Sequence, residues 1–227
     1  MHVRASARVT SFVRLAIRFL ALLLLAQTSF GQKPEPPRGT SDPYAGDLSI
    51  FEGADRAENL KIERVMDELG LKPGVHVADI GAGSGWFAVR AARRVGKDGG
   101  VYAVEINRKY VAHIKKRAQK EKLPNIRTIL GKADDPLLPA QSVDVVVLLK
   151  TYHEVAKPVA LLRKLRDAMR PGARLAIIDK NGIGTDHGLN ADVVIKEAAQ
   201  AGFAVVAQHD FVKSEGIDYF LIFEARP

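Results

Sequence analysis

The chain has no cysteine. That excludes a disulfide scaffold, cysteine-ligated zinc, iron–sulfur clusters and thiol catalysis. It is poor in aromatics, at 7% with a single Trp, so it offers little stacking surface for bases. No apolar run approaches the ~20 residues of a membrane-spanning helix; the run after Arg18, Phe19–Ala26, has 8. Acidic residues are missing from Met1 to Gly31, where Arg4, Arg8, Arg14 and Arg18 stand. The net charge of +8 over 227 residues therefore falls to 8 − 4 = +4 without that segment.

A basic start, a short apolar core and the small residues Ser29 and Gly31 two apart predict a secretory signal peptide over 1–31, cleaved near Gly31. The alternative is an uncleaved N-terminal anchor, the one route by which this chain would meet a membrane. The expected location is thus exported, periplasmic or secreted. Residues 32–49 hold Pro34, Pro36, Pro37 and Pro43 and read as a linker or extended arm. A single domain is expected over 50–227, long enough to bury a full core.

Within it, apolar patterns alternate between periods of about 2 and 3.6. Strands are expected at Val75–Ile80, Val101–Ile106, Ile126–Leu130, Val143–Leu149, Leu175–Ile178, Ala204–Gln208 and Tyr219–Glu224. Helices are expected after a capping box at Asp55 and Glu58, over Trp86–Val95 and Arg108–Glu121, from Pro158 through Met169 to a stop at Pro171-Gly172, and from an Asn190 cap to Ala201. The stretch from Lys132 to Ser142 is too short and proline-bearing for a full crossover helix. Alternating βαβ units imply a doubly wound parallel sheet with helices on both faces. Ligands then sit beyond the carboxyl ends of the strands.

The first such end reads Asp79-Ile80-Gly81-Ala82-Gly83-Ser84-Gly85. Glycines allow a sharp turn and close backbone approach to a ligand. Trp86 stands where a dinucleotide fingerprint places its last glycine, and Asp79 would repel a pyrophosphate but attract an ammonium. Glu105, ending the second strand, can accept both hydroxyls of a ribose. That suits a nicotinamide dinucleotide or S-adenosylmethionine.

The segments VADIGAGSGWFAVRAA, VYAVEIN and DDPLLPAQSVDVVVLLKTYHEV resemble the signature segments of class I S-adenosylmethionine-dependent methyltransferases, from about Phe51 to Arg226. The resemblance implies an α/β Rossmann-like domain with a seven-stranded, mostly parallel sheet in the order 3-2-1-4-5-7-6, the last strand antiparallel. It implies S-adenosyl-L-methionine as cofactor, with Gly81, Ala82, Gly83 and Gly85 beside it. Asp79 faces its methionine end, Glu105 holds the ribose with Ile106 next to it, and Ala133 and Asp134 lie at the adenine. Where many relatives read G-D-A this chain has Gly131-Lys132-Ala133, so the adenine contact moves to Asp134 or Asp135. Phe51, Glu52, Arg56, Tyr152 and His153 match an F-E-x-x-x-R stretch and a Y-H pair of bacterial methyltransferase-like proteins.

Lys150, Tyr152, His153 and Glu154 cluster past the fourth strand. His153 titrates nearest neutrality and is the candidate base, with Tyr152 beside it; the competing reading is a histidine bonding a backbone carbonyl to brace the loop. Asp179 and Lys180 are expected to line an acceptor pocket or to form a surface pair. His113 and His187 look incidental, and no His/Asp/Glu set shows a metal-ligand spacing. The basic residues Lys115, Lys116, Arg117, Lys120 and Lys122, and Arg163, Lys164, Arg166 and Arg170, have no aromatics among them and read as solvated helix faces rather than a nucleic-acid surface. The expected function is methyl transfer to a small-molecule acceptor. A non-catalytic exported binding module and a nicotinamide-dependent oxidoreductase are the alternatives.

Overall fold

The computed structural model describes residues 38–212, 215–216 and 218–226. The signal-peptide and cleavage-site expectations fall on residues outside that set. Among the described residues no helix is long and apolar enough to cross a membrane.

Among the described residues seven strands form one sheet: β1 (His76–Ile80), β2 (Gly100–Glu105), β3 (Ile126–Leu130), β4 (Val143–Leu149), β5 (Met169–Lys180), β6 (Phe203–His209) and β7 (Asp218–Ala225). Their order is β3-β2-β1-β4-β5-β7-β6, as the family resemblance implied. β1 to β5 run parallel, and β7 lies antiparallel between β5 and β6. The helices are α1 (Arg56–Asn59), α2 (Ile62–Glu68), α3 (Trp86–Val95), α4 (Arg108–Lys120), α5 (Pro158–Ala168) and α6 (Ala191–Gln200). Between β3 and β4 the chain makes only a tight Lys132–Asp135 bridge, so the crossover helix is missing there as expected.

The unbroken apolar run of β4 is explained by burial on both faces. Val145, Val147 and Leu149 enter the core that holds α2 and α3, while Val146 and Leu148 enter the core that holds α5 and α6. The two cores clamp the central strands and leave their carboxyl ends as one rim.

Three local expectations are corrected. Asp55 makes no side-chain cap bond and has helical dihedrals, and Glu58 pairs with Lys61 instead. Asn190 stands at the helix start but its side chain does not cap it. Met169 leaves the helix face and begins β5, so Pro171-Gly172 lies inside a strand. It sits where the pairing with β4 jumps from Met169 to Arg174, an interruption that tolerates a residue without an N–H. Of the two readings of 32–49, linker or extended arm, the described part, residues 38–49, takes the second and lies against the domain. Arg38 donates to the carbonyls of Tyr152 and Val155 at 3.0 and 2.9 Å and pairs with Glu197 at 2.8 Å. The arm ends in a short 3-10 turn, Leu48–Glu52, and Tyr110 Oη on α4 donates to Gly46 O.

Candidate functional site

At the rim, the turn between β1 and α3 is held by Gly81 and Ala82 donating to Val104 O at 2.9 and 3.1 Å. Gly81, Gly83 and Gly85 all have positive φ (69°, 54° and 77°), which a side chain would strain. A Cβ on Gly81 would fall 2.3 Å from Thr151, and one on Gly83 3.3 Å from the Phe51 ring. The turn is thus pressed against the loop after β4 on one side and the arm's 3-10 turn on the other. Glu52 accepts from Ser84 Oγ at 2.6 Å and pairs with Arg117 at 2.5 Å, so the F-E-x-x-x-R stretch braces the glycine turn from outside.

Beside the turn lies a cavity of about 360 Å³. Asp79, Gly81, Ala82, Gly83 and Glu105 line one part of it. Asp79 is 2% exposed, and its Oδ2 has no hydrogen-bond partner among the described residues. Burial pushes its pKa up to about 7, against the opposing pull of the Ala88 N–H at the start of α3 and the nearby Arg56 charge. Arg56 also faces the cavity. Its guanidinium lies over Trp86 and Phe51, 4.7 and 5.2 Å from the ring centroids, and donates to Phe51 O at 2.8 Å. Asp79, when ionised, and Arg56 present opposite charges to the same space.

Glu105 is buried and its pKa is raised by that burial. Three backbone N–H groups hold it: Gly83 on Oε2 at 3.2 Å, and Ile106 and Asn107 on Oε1 at 2.7 and 3.3 Å. Ile106 is 44% exposed beside it and, like Gly85, lies outside the cavity lining. Gly85 instead backs onto Ile114 of α4. Ala133 and Asp134 sit on the tight bridge after β3, also away from the lining, and Asp134 pairs with Lys157 at 2.9 Å.

The opposite wall comes from the ends of β4 and β5. His153 is buried, and its Nδ1 lies 3.0 Å from both oxygens of Asp179, which also accepts the His153 N–H at 3.1 Å. The Asp179–Lys180 surface pair is therefore corrected, and the His153 ring bonds a carboxylate rather than a backbone carbonyl; of the two residues expected at the acceptor pocket, Lys180 lines the cavity and Asp179 stands behind His153. Asp179 is fully buried as the partner of His153, and Lys180 pairs with Glu215 at 2.6 Å. Tyr152 is corrected too. Its side chain is fully buried away from the cavity, its hydroxyl donates to Glu197 at 2.8 Å, and burial raises its pKa, so it anchors the loop. Glu154 lines the cavity, and burial pushes it up to about 7.

Tyr44 was missed, and His187, expected to be incidental, lines the cavity. Tyr44, in the expected linker, lines the cavity and meets Phe51 edge-on at 5.4 Å. His187 lines the cavity with its ring perpendicular to that of His153 at 5.8 Å. Its signal was available only as a histidine in the loop after the fifth strand. His113 faces a separate groove along α4.

Comparison with known proteins agrees with this geometry. A family model described as "Methyltransferase domain" matches residues 71–216. A 27-O-demethylrifamycin SV methyltransferase from Amycolatopsis mediterranei is 31% identical over 152 residues, 66% of this chain and 55% of that protein. A protein-L-isoaspartate O-methyltransferase from Pyrococcus horikoshii is 30% identical over 107 residues, 47% of this chain and 45% of that protein. The chain thus spans about half the length of these curated relatives. Among solved structures, a SAM dependent methyltransferase from Aquifex aeolicus superimposes with a TM-score of 0.71 at 26% identity, covering 79% of this chain and 98% of that one.

Proposed function

The chain belongs to the class I S-adenosylmethionine-dependent methyltransferase family, and from that membership we propose that it transfers a methyl group from S-adenosylmethionine to a small-molecule acceptor. The observation that carries this reading is the buried, unpartnered Asp79 Oδ2 facing the same cavity as the Arg56 cation. A buried carboxylate oxygen without a partner is costly. An ammonium would satisfy it, and a carboxylate would satisfy Arg56. The methionine end of the cofactor carries both groups. Glu105 keeps acceptor capacity for ribose hydroxyls beyond the N–H bonds it makes. Once bound, the cofactor supplies an electrophilic methyl on its sulfonium.

The chain's own residues do the rest. The glycine turn and Glu105 grip one part of the ligand, leaving the β4–β5 wall for the acceptor. Asp179 fixes Nδ1 of His153 and leaves Nε2 to take the acceptor's proton. The arm, through Tyr44 and Phe51, covers the turn and keeps water from it. The acceptor wall lies within the same cavity, a setting suited to a small molecule.

Calorimetry of the purified domain with S-adenosylmethionine, S-adenosylhomocysteine and NAD tests the cofactor. The two sulfur ligands should bind and NAD should not; binding of NAD alone would restore the oxidoreductase alternative. Transfer of labelled methyl to extracts of small metabolites separates an enzyme from a binding module. We also propose export. Protein from the native host should begin near Gln32, and intact Met1 in a cytoplasmic fraction would refute that.

A further inference from the structure

We infer that His153, Glu154 and His187 form a binding site for one divalent first-row transition ion, such as zinc, on the acceptor side of the cavity. Their ligand atoms all lie within 4.8 Å of one another, and His153 Nε2 is 3.9 Å from Glu154 Oε1. Ligands around a tetrahedral zinc at ~2.1 Å stand roughly 3.4 Å apart, so closing the site needs a shift of about an ångström. His187 is exposed, on the loop between β5 and α6, and has room to supply it.

What distinguishes this trio from a chance cluster is that a separate neighbour orients each ligand. Asp179 occupies Nδ1 of His153, the carboxylate–histidine arrangement that aims Nε2 at a metal. Tyr44 N–H donates to Glu154 Oε1 at 3.2 Å. Ser41 Oγ accepts the N–H of His187 at 3.0 Å and donates to Gly184 O at 2.8 Å, pinning a residue whose φ is +57°. Two of these three bonds come from the arm, so docking the arm assembles the site.

The donor set is two imidazoles and one carboxylate. That favours a first-row transition ion over magnesium or calcium, which prefer oxygen ligands. Three protein ligands leave a coordination position open to the cavity. The local charge also suits a cation. Glu154 and Asp179 flank His153, while the nearby Lys150 and Lys180 are paired with Glu215. With an ion bound, the Nε2 lone pair goes to the metal; the ion acidifies the acceptor's donor atom, whose proton leaves to solvent, and the methyl passes to that atom with S-adenosylhomocysteine as the leaving group. This part of the inference rests on the methyl-transfer reading; metal binding itself does not.

The test is calorimetry of chelator-stripped protein with Zn²⁺, Co²⁺ and Mg²⁺, alongside the visible absorption of the Co²⁺ form. We expect one Zn²⁺ or Co²⁺ per chain at micromolar affinity or tighter, no saturable Mg²⁺ binding, and a Co²⁺ spectrum of low coordination number. Glu154→Gln and His187→Ala should each weaken Zn²⁺ at least tenfold, and Asp179→Asn by roughly 10–100-fold. S-adenosylhomocysteine affinity, measured on the same samples, reports that each variant is folded and tests the cofactor reading separately. Absence of saturable Zn²⁺ or Co²⁺ binding, or Zn²⁺ affinity unchanged in both His187→Ala and Glu154→Gln, would overturn the site.

Discussion

Asp79→Asn should stabilise the protein and damage it at once. The parent carboxyl is buried, with Oδ2 unpartnered and its pKa raised from 3.8 to about 7. A raised folded-state pKa means the native chain holds a proton that the unfolded chain has released. Stability from this group is therefore greatest below pH ~4 and falls as pH rises toward 7. At 1.36 kcal/mol per unit, ionised Asp79 costs about 4 kcal/mol above pH 7. Asn keeps an acceptor for the Ala88 N–H and never ionises. The variant should gain about 3 kcal/mol more at pH 8 than at pH 4.5, which is roughly 6–12 °C in melting temperature for a domain of this size. Cofactor binding should move the other way. The parent must ionise Asp79 to receive an ammonium, so its affinity should rise about fivefold from pH 6 to pH 7, below the range where the ligand's own amine titrates. Asp79→Asn should bind at least tenfold more weakly at pH 7 and lose that slope. Thermal melts at the two pH values and calorimetry between pH 6 and pH 7 decide it. A variant with no pH-dependent gain in stability and with parental affinity would refute the assignment of Asp79 as the ammonium partner.

Glu105→Ala removes acceptors for ribose and should cost about 1.5–3 kcal/mol of cofactor affinity, roughly 10–150-fold by calorimetry; unchanged affinity would remove Glu105 from the site. His153→Ala should lower turnover by roughly 10²–10⁴-fold while leaving cofactor affinity within a few-fold, because its ring sits on the acceptor wall. A variant that melts early yet keeps its turnover per folded molecule would make His153 structural. Gly83→Val places a branched side chain at φ +54° against Phe51, so it should abolish cofactor binding, and retained binding would mean the turn is not the cradle. Arg38→Ala loses two carbonyl bonds and the pair with Glu197, and should lower stability by about 2–4 kcal/mol in denaturant titrations if the arm is docked in solution.

Chain pattern alone was enough for the βαβ alternation, the glycine turn and the acid at the end of β2. Each is a short-range feature: an apolar period, glycines two apart, or an acid at a strand's last residue. The buried run of β4 likewise follows from composition, because a strand covered on both faces has no polar side to show. The local errors have two causes. Asp55 and Asn190 stand at helix starts without their side chains capping them, because a residue type favours a cap bond without fixing it, and at Pro171-Gly172 the pairing of β5 with β4 overrode the helix signal. What the fold alone decided is which distant groups meet. Asp179 lies 26 residues from His153, His187 farther still, and Ser41 and Tyr44 reach them from an arm more than 100 residues away. No spacing encodes those contacts, because they form only when separate strand ends converge on one rim. Burial is decided in the same way. Asp79 is an ordinary carboxylate in the sequence, and it becomes a costly one, with a single oxygen unpartnered, only where the sheet and α3 exclude water from it.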